Sequence, residues 1–331
     1  MKKVLVAGGG GFIGGWLVKE LLSKGYKVSA VDIKPISNWY QVFPEANNSS
    51  KDLSLLGNCT QSTVGIDEIY NLAADMGGMG FIENNKAACM LTVLINTHLL
   101  MAAKVNGASR FFFSSSACVY NADKQNNSFI EGLKESDAYP AMPEDGYGWE
   151  KLFSERMCRH FYEDYGLETR VARYHNVYGP MGTFDGGREK APAALCRKLI
   201  IAKNSSEKKI DVWGDGEQTR SFMFIGDCIK GTKKIFESNC REVLNIGSEE
   251  QVSINQMIKI IEEIADYKVK KNYQLDKPKG VRGRSSNNDL VREKLGWDFE
   301  TSLKSGLEIT YKWIEKEIAK KLNNNKFAIK Y

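Results

Sequence analysis

The chain has 331 residues, 42% hydrophobic and 26% charged, which argues against wholesale disorder and leaves room for roughly two domains of about 150 residues each. Its 46 Lys and Arg against 41 Asp and Glu leave a net charge of +5, and the basic clusters are no longer than pairs such as Lys208-Lys209 and Lys233-Lys234, which excludes a polyanion-binding tail and with it a nucleic-acid partner. Seven scattered cysteines without a C-x-x-C pair fit a reduced, cytoplasmic chain, and three scattered histidines form no readable metal cluster. Lys2-Lys3 lead into an apolar run, Val4–Ala7, that stops at Gly8, too short for a signal peptide. No stretch of 18 apolar residues is present, so no membrane span is expected.

The first half alternates short apolar runs with helical patterns. Val4–Ala7 reads as a buried strand, Phe12–Lys24 as a helix stopped by Gly25, and Val28–Val31 as a strand ending at Asp32. Ile69–Ala74 reads as a strand, Met90–Val105 as a long apolar helix closed by Gly107, and Phe111–Phe113 as a strand running into Ser114–Ser116. Tyr147–Tyr165 reads as a helix ended by Gly166, and Thr169–Tyr174 as a strand. Such βα units predict an α/β fold, a Rossmann-type doubly wound parallel sheet. Later come a helix over Pro192–Lys203, strands at Ile210–Trp213 and Val243–Ile246, and helices over Ile254–Ala265 and Leu303–Leu322. These predict a smaller, mixed α/β C-terminal substrate domain. The boundaries expected are 1–176 for the sheet domain, with 222–247 returning to it, and 177–331 for the second. Asn47-Asn48, Asn126-Asn127 and Asn323–Asn325 read as loops, and Asn323–Tyr331 as a frayed tail.

Gly8, Gly11 and Gly14 form G-x-x-G-x-x-G between the first strand and the first helix. The first permits a tight turn, the second lets the backbone approach a pyrophosphate, and the third lets helix pack on strand. Asp32, 18 residues after Gly14, suits the two ribose hydroxyls of NAD and repels a 2′-phosphate, although Lys34 lies nearby. The implied cofactor is NAD.

Y-x-x-x-K occurs four times, at Tyr120, Tyr147, Tyr267 and Tyr273, and context must choose among them. Only Tyr147/Lys151 opens a long helix with a serine-tipped strand upstream. The spacing puts both side chains on one helix face. The Lys151 ammonium is expected to lower the tyrosine pKa, so that a phenolate takes a proton from a sugar hydroxyl that Ser116 also binds. If the backbone stays extended past Ser116, Cys118 shares its face.

With these residues the chain is similar to extended short-chain dehydrogenases/reductases acting on nucleotide sugars. Asn71–Phe81 (NLAADMGGMGF), Ser115–Tyr120 (SSACVY), Arg173–Pro180 (RYHNVYGP), Gly186–Lys198 (GGREKAPAALCRK), Trp213–Phe224 (WGDGEQTRSFMF) and Val281–Asn287 (VRGRSSN) resemble the GDP-mannose 3,5-epimerase family. The resemblance implies an NAD-dependent epimerase of a GDP-sugar, working by transient oxidation at C4. Cys118 is then the base and Lys190 the acid at C5, C3 or both, with the nearby lysine favouring a thiolate. Phe12, Ile13, Asp52 and Leu72 complete the expected cofactor site beside Tyr147 and Lys151. Asn176, Lys198 and Arg284 are expected to hold the diphosphate or nearby groups, Gln218 the nucleotide, and Gly77 and Met79 the sugar-covering loop, with Glu189 beside Lys190. A homodimer through two long helices per subunit is the implied assembly. A 4-epimerase or 4,6-dehydratase of the same fold, or a non-catalytic dinucleotide sensor, are the alternatives. A dehydratase carries an acidic pair where Ala117-Cys118 stand, and a sensor has no need of both Tyr147 and Lys151.

Overall fold

The computed structural model describes residues 1–277 and 280–323, so the tail expected to fray beyond Asn323 lies outside the described residues. β1 (Lys3–Ala7), α1 (Phe12–Ser23) and β2 (Lys27–Asp32) open the chain, followed by β3 (Asn47–Ser50), α2 (Leu56–Ser62) and β4 (Glu68–Asn71). Then come α3 (Met79–Asn84), α4 (Lys86–Leu91), α5 (Val93–Asn106), β5 (Arg110–Ser116), α6 (Tyr147–Tyr165) and β6 (Glu168–Tyr174). The remainder runs β7 (Val177–Tyr178), α7 (Ala191–Lys203), β8 (Lys209–Trp213), β9 (Thr219–Ser221), β10 (Met223–Phe224) and α8 (Ile225–Glu237). It closes with β11 (Leu244–Ile246), β12 (Gln251–Ser253), α9 (Ile254–Ala265), β13 (Lys270–Gln274), β14 (Gly283–Arg284), α10 (Asp289–Leu295) and α11 (Leu303–Asn323).

Seven strands build one parallel sheet in the order β11-β6-β5-β4-β1-β2-β3. Helices cover both faces, which is why the central strands read as continuous apolar runs. Along β1 the side chains alternate: Val4 and Val6 join Leu17, Val18 and Leu21 of α1, whereas Leu5 and Ala7 join Leu99, Leu100, Phe111 and Phe161 on the other face. The strand order reverses between β1 and β4, so a crevice opens at the carboxyl ends of these strands. A second core gathers α7, α9 and α11 around Leu195, Leu199, Met257, Ile261, Leu307 and Ile314. Small sheets β12-β9-β14, β13-β8 and β10-β7 flank it. Gly107 and Gly166 end α5 and α6 in the left-handed conformation, at φ 72 and φ 70, where a side chain would be strained.

Two expectations are corrected. Asn47-Asn48 are not a loop. They begin β3, which pairs with β2 at the sheet edge, where exposed polar residues are tolerated. The Met90–Val105 helix starts earlier and is interrupted at Thr92, whose hydroxyl oxygen accepts a hydrogen bond from the Asp75 amide at 3.1 Å. Lys86–Asn106 is also, by length and composition alone, long and apolar enough to cross a membrane, with a mean hydropathy of 1.5. Scattered polar residues such as Asn96 break a strict apolar run without lowering that mean much. Asn96 is buried, accepting a hydrogen bond from Asn71 at 3.0 Å.

His175, one residue past β6, is fully buried. Its Nε2 faces Asn245 Oδ1 at 3.0 Å, and Nδ1 has no partner among the described residues. Burial lowers its pKa from the ordinary 6.5 to about 3. Folding therefore favours the neutral ring, so the contribution is complete above pH 6.5 and is lost as pH falls from there toward 3. At pH 5 the loss should reach about 2 kcal/mol. Thermal denaturation at pH 7.5 and 5.0 checks this: His175→Gln should show a smaller drop in Tm between the two than the unsubstituted protein.

Candidate active site

The turn after β1 is built on glycine. Gly8 has φ 82, and its amide and that of Gly9 donate to Val31 O at 2.7 and 3.0 Å. A Cβ at Gly14 would stand 2.0 Å from Gly8 O, so α1 can approach the strand this closely only with glycine there. Asp32 ends β2, almost fully buried. Its Oδ1 accepts from the Lys34 amide at 3.0 Å, and its Oδ2 faces the loop near Gly11. The Lys34 ammonium donates to Gly10 O at 2.6 Å and so is tied to the loop, while the Trp39 indole covers Gly10. Phe12 and Ile13 begin α1 behind this turn. Leu72 follows β4 and presses its backbone against Gly8, its amide donating to Ala7 O at 2.9 Å. Asp52 lies past the edge strand, its Oδ1 accepting from the Ser54 amide at 2.8 Å.

Tyr147 and Lys151 occupy the first two turns of α6, both buried. The Lys151 Nζ lies 5.5 Å from the centre of the Tyr147 ring and 4.6 Å from that of Phe113. The expected lowering of the tyrosine pKa is not what the geometry gives. Burial, then Cys118 and Glu150, push Tyr147 well above the usual range, and a hydrogen bond with Ser116 only opposes this. Burial is the first reason, and a second charge adds to it: Glu150 Oε2 stands 3.6 Å from the Lys151 Nζ and offsets its field, its Oε1 being held by Ser154 at 2.9 Å. Neither Lys151 Nζ nor Glu150 Oε2 finds a hydrogen-bond partner among the described residues.

The chain does not stay extended past Ser116. Ala117–Val119 form a 3₁₀ turn whose Cys118 amide donates to Ser116 Oγ at 3.2 Å, so the turn and not strand alternation brings Cys118 to the site. Cys118 is 7% exposed, and its sulfur accepts from Arg284 Nη1 at 3.4 Å. Arg284 Nε donates to Gln125 Oε1 at 2.6 Å, and Nη1 and Nη2 lie 3.4 and 3.5 Å from Glu144 Oε2. Burial and Glu144 push the Cys118 thiol up to about 11, against the pull of Arg284 and Ser116. The expectation of a thiolate favoured near neutrality is thereby corrected: the desolvation of the sulfur and the adjacent carboxylate outweigh the cations. Lys190, at the start of α7, is shifted down by burial, with Cys118 opposing.

One cavity of about 550 Å³ collects these groups. Ser116, Cys118, Tyr147, Asn176 and Lys190 line it, as do Gly77, Met79, Glu189, Lys198, Gln218 and Arg284. Lys151 lies beneath the wall. Arg284 comes from β14 and not from a solvated loop, with its guanidinium beside the sulfur. Lys198 donates to Asp211 O at 2.6 Å, and the Glu189 carboxylate is taken up by the Gly187 amide and Arg197. Gln218 Nε2 donates to Trp213 O at 2.9 Å, which leaves its buried Oε1 without a partner among the described residues. The roof is two loops: the Gly78 amide donates to Arg188 O at 3.1 Å, and Arg188 Nη1 donates to Asp75 Oδ1 at 2.7 Å.

Glu144, Gln125, Arg220 and Arg188 were not singled out in the sequence. Arg220 lines the cavity and stands within the WGDGEQTRSFMF stretch, so an arginine two residues after Gln218 was a usable signal. Glu144 precedes α6 in a stretch without periodicity and carried none.

Residues 4–247 match the NAD dependent epimerase/dehydratase family. The chain belongs to this family. Rice (Oryza sativa subsp. japonica) GDP-mannose 3,5-epimerase 1 is 46% identical over 319 residues, 96% of this chain and 83% of that protein. The crystal structure of UDP-glucose 4-epimerase from Thermotoga maritima with UDP-glucose superposes with a TM-score of 0.86 at 26% identity, covering 96% of this chain and 99% of that one. UDP-glucuronic acid 4-epimerase from Bacillus cereus, in complex with UDP-glucuronic acid and NAD, gives 0.83 at 26% identity, covering 95% and 99%.

NAD is the cofactor of the epimerase/dehydratase family, and the residues present fit it. The glycine turn leaves backbone amides at a helix start for the pyrophosphate, and Asp32 Oδ2 is placed for ribose hydroxyls. The Lys151 Nζ is the second fitting observation: it is ion-paired with Glu150 at 3.6 Å but makes no hydrogen bond among the described residues, and a buried ammonium with unused donors is costly unless a ligand supplies acceptors. Lys151→Met should therefore weaken NAD binding about tenfold or more, as read by titration of the purified protein, and should lower Tm without added cofactor, because Glu150 is left as an unpaired buried charge.

Proposed function

We propose that this enzyme is a GDP-mannose 3,5-epimerase, acting on GDP-mannose through C4 oxidation, proton exchange at C5 and C3, and C4 re-reduction. The observation that carries this reading is the meeting of Cys118 and Lys190 with Ser116 and Tyr147 in one cavity. A 4-epimerase has no use for a separate thiol–amine pair, and a 4,6-dehydratase carries an acidic pair where Ala117-Cys118 stand, whereas inversion next to the oxidised carbon requires a base and an acid. Near-complete similarity to the rice enzyme supports the choice of sugar nucleotide.

Bound NAD supplies reversible hydride acceptance at C4. Tyr147 and Ser116 hold the C4 hydroxyl, the tyrosine taking its proton as the carbonyl forms and returning it later. A hexose C–H is far too weak an acid for a thiolate or an amine, but with a carbonyl at C4 both neighbouring hydrogens become acidic. Cys118 removes one of these protons and Lys190 returns one to the opposite face. Arg220, Lys198 and Asn176 offer charge and amide groups for the diphosphate, and Gln218 Oε1 an acceptor for a nucleotide donor. The roof formed by Gly77–Met79 and Arg188–Glu189 limits water around the keto sugar.

Incubation with GDP-mannose in D₂O should place deuterium at C3 and C5, read by NMR of the recovered sugar nucleotide. Recovery without label at either carbon rejects the reading. Tyr147→Phe should abolish labelling and lower kcat by about a hundredfold or more, with KM little changed.

The chain is further proposed to work as a homodimer. Met90, Leu91 and Met101 on α4 and α5 and Trp149 (45% exposed) and Phe153 (52%) on α6 present apolar side chains to solvent from packed helices. Trp149→Glu with Phe153→Glu should halve the mass measured by light scattering. A reducing cytoplasmic location is proposed from the seven free cysteines.

A further inference from the structure

Cys118 has more charge around it than a thiol–amine pair requires. Arg284 from β14 touches the sulfur, and Arg220 from β9 and Lys190 ahead of α7 face it across the cavity. Tyr147 from α6 and Ser116 from β5 complete its polar surroundings. Against three cations stands one carboxylate, Glu144. Its position is fixed by the backbone: the Glu144 amide donates to Cys118 O at 2.9 Å, and Glu144 O accepts from Gly148 at the start of α6. A Cβ at Gly148 would lie 2.3 Å from Cys118 O, so the segment before α6 and the turn of Cys118 are held together without slack. Arg284 Nη1 is shared, 3.4 Å from the sulfur and 3.4 Å from Glu144 Oε2, while Gln125 holds Nε. Glu144 is not among the groups lining the cavity, and its side chain is 14% exposed.

We propose that Glu144 is a positioning residue of the epimerisation, which acts through Arg284 to balance the charge at Cys118 so that one sulfur can first take a proton and later release it. The proposal rests on the function given above. Each inversion moves one proton onto the sulfur and one off the amine, so a second inversion on the same sugar requires the pair to be reset. A sulfur facing three cations alone would stay a thiolate of low basicity, poor at taking the proton from carbon. The carboxylate restores basicity and gives the guanidinium a second partner when the sulfur is neutral. Burial and Glu144 together already hold the thiol above its ordinary range.

Two readouts test this on the full-length enzyme. The first is the pH dependence of Cys118 alkylation by iodoacetamide, followed by peptide mass spectrometry. In the unsubstituted enzyme the midpoint should lie well above the ordinary thiol value of about 8.5, and a midpoint at or below it overturns the proposal. Glu144→Gln should lower that midpoint by about one pH unit or more, and Glu144→Asp, which keeps the charge, should restore most of the difference. The second is kcat against pH, whose ascending limb should move down with the alkylation midpoint in Glu144→Gln while KM changes less than about twofold. A midpoint that does not move overturns the proposal, as does one that moves without the kcat limb. If the unsubstituted enzyme fails to introduce deuterium at C3 and C5, the assigned reaction falls. The alkylation arm still decides independently whether Glu144 governs the sulfur.

Discussion

Charge removed from water is the condition on which the rest of this site depends. At the carboxyl ends of β1, β4 and β5 the chain buries Lys151 with Glu150, and Arg284 with Glu144 and the Cys118 thiol. Burial raises the cost of each charge and strengthens each pairwise interaction. Without bound ligands the tyrosine and the thiol are held protonated and Lys190 is pushed toward its neutral amine. Such a site takes on much of its working charge only with the ligands that complete it, an anionic dinucleotide on one side and a diphosphate on the other.

The scaffold explains why these groups meet. A parallel sheet places every strand's carboxyl end at one edge, so the glycine turn, Asp32, Leu72 and Ser116 arrive together although more than 100 residues separate the first from the last. The second core brings the remaining side from another direction. Lys190 and Lys198 come with α7, Gln218 and Arg220 with β9 and its approach, and Arg284 with β14. The cavity is the seam between the two cores. The clasp of Arg188 on Asp75 and Phe81 ties its roof to both.

Family resemblance and local chemistry contribute different things to the functional reading. The family accounts for the cofactor turn, and in the proposed reaction Tyr147/Lys151 serve oxidation and reduction at C4. In the same proposal the Cys118 sulfur and the Lys190 amine, which line one cavity, are what proton exchange at C3 and C5 needs beyond that. Glu150 shows how far tertiary surroundings modify a shared motif. The same Y-x-x-x-K spacing carries an ammonium whose effect on the tyrosine is offset by the residue next to it.

The sequence by itself determined the elements whose signals are local. Glycine spacing and an acid at a strand end marked the cofactor turn, helical periodicity gave α6 and α9 their bounds, and glycines at 107 and 166 marked where helices stop. Through the family resemblance it also named part of the cavity lining, though not Arg220, because short motifs keep their composition. Only the tertiary structure decided what these groups do to one another. Strand β3 is polar because it sits at an edge, and Cys118 reaches the site on a turn. Arg284 partners the sulfur, and Glu144 and Glu150 reset the electrostatics of the two acid–base centres. The physical reason is that burial and through-space charge act between residues as far apart as 118, 144 and 284, and no periodicity along the chain records those distances.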